Sequence, residues 1–129
     1  MKQEQYTTNK PKSQGPQRGR AFLVVIPADL TRSPYTWDVD QDEDLVPVIR
    51  NLLGDTPIFC PSPVQKTWAV AYSESGSIFR RLNVHATNLV GRTVDGMAIV
   101  VQSGRRIRPW SKYAAKRVIR QITGGEDNV

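Results

Sequence analysis

The stretch Ala21-Phe22-Leu23-Val24-Val25-Ile26 constrains the fold most. It is apolar without a break and rich in β-branched residues, the pattern of a strand buried on both faces. Pro27 ends it. A second run, Met97-Ala98-Ile99-Val100-Val101, follows the turn signal Asp95-Gly96 and has the same character. Both runs fall far short of the ~20 apolar residues a membrane-crossing helix needs. In a chain of 129 residues they are expected to share one core in one domain.

The remaining elements are marked by their boundaries. Tyr35-Thr36-Trp37-Asp38-Val39 alternates well enough for a short strand. Acids near residue 44 start a helix over 45–53, Pro47 is tolerable only in its first turn, and Gly54 closes it. Pro57, Pro61 and Pro63 restrict 56–63 to an edge strand followed by a loop. Residues 66–72 read as a strand, and 77–82 as its hairpin partner through the turn Ser73-Glu74-Ser75-Gly76. Asn83 caps a short helix through His85, Ala86 and Leu89, which Gly91 ends in the left-handed conformation. Ser111 caps a final helix over about 111–123, and Gly124-Gly125 stops it. The expected class is α+β: a mixed or mostly antiparallel sheet with two or three helices on one face. Residues 1–20, poor in large apolar groups, read as a disordered arm; 21–124 form the domain and 125–129 a frayed tail.

Charge is distributed unevenly. From 105 to 120 the chain carries Arg105, Arg106, Arg108, Lys112, Lys116, Arg117 and Arg120 and no acid, enough to account for the whole formal charge of +6. Along the final helix Ala114, Ala115, Val118, Ile119 and Ile122 fall on one side. Lys112, Lys116, Arg117 and Arg120 fall on the other, with Tyr113 among them. Clustered cations of this kind supply the sequence-independent attraction to phosphate, and Trp110 and Tyr113 are placed to stack on bases. For Trp110 the competing role is to anchor the helix to the sheet. The N-terminal arm adds Lys2, Lys10, Lys12, Arg18 and Arg20 against Glu4. Residues 21–50 have the opposite bias, two arginines against six acids, and would repel nucleic acid on one face.

Most of those acids lie at Asp38, Asp40, Asp42, Glu43 and Asp44. An EF-hand starting at Asp38 requires glycine at its sixth position and glutamate at its twelfth; Glu43 and Ile49 stand there. Starting a helix is the simpler role. His85 is the only histidine, with no orienting acid beside it in sequence, and reads as structural or exposed. Cys60, the only cysteine, excludes an internal disulfide and reads as a buried, inert thiol. No nucleophile-elbow serine and no phosphate-cradling glycine loop occurs. No metal or cofactor is expected, and no enzyme.

The chain also resembles a family of phage and plasmid proteins, the domain-of-unknown-function family numbered 3846. The matching residues are 22–26, 45–53, 68–72, Asn83-x-x-Ala86 and Val94-Asp95-Gly96-Met97-Ala98-Ile99-Val100-Val101, so the resemblance spans roughly 21–103. It implies a small accessory protein of a mobile element in the host cytoplasm, and it carries over no catalytic or ligand-binding residue. The absence of an apolar core in 1–20, where a secretory signal would need one, agrees with that location. Two functions follow as expectations. One is a non-enzymatic module binding DNA or RNA through Arg105, Arg106, Arg108, Trp110, Lys112, Tyr113, Lys116, Arg117 and Arg120. The other is a protein–protein inhibitor of a host transcription or defence complex, using the same basic surface on an anionic protein face or the acidic 38–44 segment as a phosphate mimic.

Overall fold

The computed structural model describes residues 19–74 and 81–124. Strands β1 (Arg20–Ile26), β2 (Tyr35–Asp40), β3 (Pro57–Pro61), β4 (Trp68–Ser73) and β5 (Ala98–Gln102) form one sheet in the order β2-β1-β5-β4-β3. Every neighbouring pair is antiparallel. Helices α1 (Leu45–Leu53), α2 (Val84–Val90) and α3 (Lys112–Thr123) complete an α+β domain. The basic arm, most of the hairpin partner expected over 77–82 and the tail lie outside the described residues. Over 69–72, β4 is flanked by β3 on one side and β5 on the other. Arg20, assigned to the arm by composition, is the first residue of β1 and pairs with Asp40.

Both apolar runs lie in the middle of the sheet, and each face of these strands is covered. Leu23, Val25, Ile99 and Val101 point to one face, where Leu45 and Ile49 of α1 pack. Val24, Ile26, Ala98 and Val100 point to the other, against Ala86 and Leu89 of α2 and Ala115 and Val118 of α3. Two helices therefore share a face, as expected, while α1 takes the opposite one. Strands apolar on both sides require this second layer, since a bare face would leave Leu23, Val25, Ile99 and Val101 in water. Ala69 and Ala71 of β4 also lie on the α1 face, while Trp68, Val70 and Tyr72 point to the α2/α3 face. The small pair suits the face crossed by α1.

Capping explains where the helices begin. The Asp44 carboxylate accepts from the Val46 N–H at 3.2 Å, and Gly54, at φ 74°, donates its N–H to the Arg50 carbonyl. Pro47 falls in the first turn, where a missing N–H forfeits no helical bond. Asn83 does more than cap. Its Oδ1 accepts from the Ala86 N–H at 3.0 Å, and its Nδ2 donates to the carbonyls of Ile26 (3.0 Å) and Gly96 (2.8 Å). One amide, 1% exposed, thus joins the end of β1, the start of α2 and the turn before β5.

Asn83→Ala is expected to break three hydrogen bonds at a buried junction and to cost roughly 3 kcal/mol or more in urea unfolding. Asn83→Ser restores the cap alone and should recover about 1 kcal/mol of that loss.

Candidate nucleic-acid interface

The basic segment is built where two central strands part. β1 pairs with β5 only from Val24 to Ile26. Two positions further along that register Phe22 would face Gln102, but each has another partner. Phe22 exchanges both backbone hydrogen bonds with Trp110 at 2.8 Å, and Gln102 exchanges bonds with Arg108 at 2.8 and 3.0 Å. Residues 108–110 thereby fill the fork between the strands. The Gln102 side chain adds a bond from Nε2 to the Pro109 carbonyl at 2.7 Å. Residues 103–107 are left as a short closed loop, held from beneath by half-buried Ile107, which packs against the α1 side of the core. Arg105, Arg106 and Arg108 are exposed on it.

Trp110 does not offer its ring to a ligand. It is 6% exposed, stacks edge-to-face on Trp68 with centroids 6.1 Å apart, and donates its indole N–H to the Val100 carbonyl at 2.9 Å. A buried indole needs an acceptor, and the Val100 carbonyl meets that need. The stacking role expected for Trp110 is therefore corrected: it is the anchor of the segment, and the backbone exchange with Phe22 makes it part of the sheet.

α3 follows at once. Ser111 caps it by accepting from the Ala114 N–H at 3.1 Å, and Gly124, at φ 72°, closes it. The face predicted by periodicity is the one that packs: Ala115 and Val118 are buried, and Ala114, Ile119 and Ile122 lie against the same cluster. Lys112, Tyr113, Lys116 and Arg117 are exposed, while Arg120 is half-buried. Tyr113 is 69% exposed and has the Arg117 guanidinium 5.9 Å from its ring centroid, within cation–π range. Of the two aromatic rings expected to stack, only this one is free to do so.

The electrostatics of this surface are unbalanced. Among the described residues the ion pairs join Arg20 to Asp38 and Arg81 to Asp29, and neither touches the basic segment. Arg105, Arg106, Arg108, Lys112, Lys116 and Arg117 have no acidic partner there. Lys112 also occupies the first turn of α3, where the helix dipole favours an anion and no acid is present.

Beside the segment lies a cleft of about 940 Å³, which sequence reasoning missed. Residues 41–46, ahead of and within the first turn of α1, form one wall; 106–111 form the other; Arg20 and Ala21 lie between. Glu43 and Asp44 turn their carboxylates to the N–H groups of Asp40 (3.0 Å) and Val46 (3.2 Å). The walls lie some sixty positions apart in the chain, and only the fork in the sheet brings them together.

The other candidates are not drawn into this site. His85 is half-buried on α2. Cys60 is half-buried in β3, packed against the α2/α3 side of the core. Among the described residues no three of His, Cys, Asp or Glu are grouped to hold a metal ion, and no helix is long and apolar enough to cross a membrane. Compared with family models, curated proteins and solved structures, the chain matches none. The resemblance over 21–103 therefore rests on its motif residues alone.

Trp110→Phe keeps a ring but removes the buried indole hydrogen bond to the Val100 carbonyl, an expected loss of about 1–2 kcal/mol in denaturant unfolding. Trp110→Ala should cost about 3–5 kcal/mol, and Tyr113→Ala should stay within about 0.5 kcal/mol of the parent.

Proposed function

We propose that this protein is a non-enzymatic nucleic-acid-binding module whose contact surface is the loop 103–108 and the outer face of α3. The observation that carries the reading is the set of six exposed cations with no acidic partner among the described residues. Side chains so placed repel one another unless an anion lies across them, and a phosphate backbone supplies regularly spaced anions. Two further features support it. Tyr113, exposed, next to Lys112 and one helical turn before Lys116, presents a ring face for one base. The packing of Ile107 and Trp110 ties the cationic loop to the core, so its contacts need little ordering on binding. The setting implied by the family resemblance, an accessory protein of a phage or plasmid, is compatible with such a module.

The test is binding of labelled single- and double-stranded DNA and RNA across a salt series. Log K is expected to fall linearly with log salt, at ~0.7 per neutralised phosphate for single strands and ~0.9 for B-DNA. Replacing Lys112, Lys116 and Arg117 together by glutamine should reduce the slope by about 2 on single strands and about 2.7 on B-DNA, and weaken all sequences alike. Attraction that disappears by physiological salt would instead direct attention to an acidic protein face, the inhibitor reading, and a pull-down with the same variant would then be decisive.

A further inference from the structure

The cleft beside the basic loop has its charges sorted onto separate walls. Arg106 and Arg108 line one, exposed and without an acidic partner among the described residues. Asp42 lines the other and is the acid there whose carboxylate is not used internally, since Glu43 and Asp44 accept backbone N–H groups. Each wall also carries half-buried apolar side chains, Val46 on the acidic side and Ile107 and Pro109 on the basic side, with Arg20 and Ala21 between the walls. A volume of about 940 Å³ is ample for a nucleotide-sized ligand, at the upper end of the usual ~300–1,000 Å³ for small-ligand sites.

A nucleotide carries parts that suit each of these groups. Its phosphate is anionic, its ring faces are flat and weakly polar, and the outer edge of cytosine, adenine or guanine carries an amino donor that thymine and uracil lack. A carboxylate accepts from such a group, as acidic side chains do from the cytosine amino group. Resting on the nucleic-acid reading above, we infer that the cleft receives one unpaired nucleotide of a single strand bound along α3. Arg106 and Arg108 hold its phosphate, Ile107 and Pro109 pack against the base, and Asp42 accepts a hydrogen bond from the amino group. The ligand is then a single strand with a preference for amino-bearing bases. A duplex has that edge paired, and its second strand would set phosphates against the acidic wall at 42–44.

The experiment compares labelled (dC) and (dT) oligomers of about 12 nucleotides, within the usual site size for single strands, on the whole protein by fluorescence anisotropy. (dC) should bind more tightly by about 10-fold, the worth of one charge-assisted hydrogen bond. Asp42→Ala should abolish that preference without weakening (dT), since it removes an acceptor and a negative charge from an exposed loop position. Arg106→Ala/Arg108→Ala should weaken both oligomers and lower the salt slope by about 1.4. Equal affinity of the parent for (dC) and (dT), or a preference that survives in Asp42→Ala, would overturn the cleft assignment. If the α3 glutamine variant still lost affinity in that case, the broader reading would stand without the cleft. Failure of every oligomer to bind at physiological salt would overturn both.

Discussion

Trp110 is the residue on which the cationic surface depends. Its backbone completes the sheet beside Phe22, its indole N–H finds an acceptor in the Val100 carbonyl, and its ring meets Trp68. Three kinds of interaction converge on one residue, each needing the same position and orientation. The residue before it is proline and the residue after it caps α3, so the direction of the helix and the placement of the loop are both set here. A burial that removes an aromatic ring from ligand contact is what allows the arginines around it to be held in place.

The two apolar runs demand cover on both faces, and the domain answers with helices on opposite sides of one antiparallel sheet. α1 covers the face lined by Ala69 and Ala71, while α2 and α3 cover the face lined by Val24, Val70 and Val100. Asn83 joins the second layer to the sheet with a single amide. Each helix ends in a glycine of left-handed conformation, so the segments that follow depart at defined angles.

Much of this architecture is legible in the order of residues alone. Strand runs, caps and stops are local signals, and Asp44, Asn83, Ser111, Gly54, Gly91 and Gly124 do what their types and positions imply. The side taken by α1 is less accessible, because amphipathicity states that a helix has a buried face but not which side of a sheet receives it. The cations between 105 and 120 can be read directly, and so can the packed side of α3. The role of Trp110 stays divided at that level because an aromatic in a basic stretch serves stacking and anchoring equally well; burial decides between them. The cleft cannot be read at all, since it arises from a register change at Phe22 and Gln102 that joins distant segments.

The closed loop at 103–107 separates what holds from what touches. Its base is secured by main-chain bonds between Gln102 and Arg108 and by the inward side chain of Ile107. The outward positions, Gly104 to Arg106, contribute little to that closure. Such an arrangement lets selection exchange the outward residues while the frame stays constant, much as a tool takes different bits in one chuck. Substitutions at 104–106 can therefore change the charge that the loop presents without disturbing the fold that presents it.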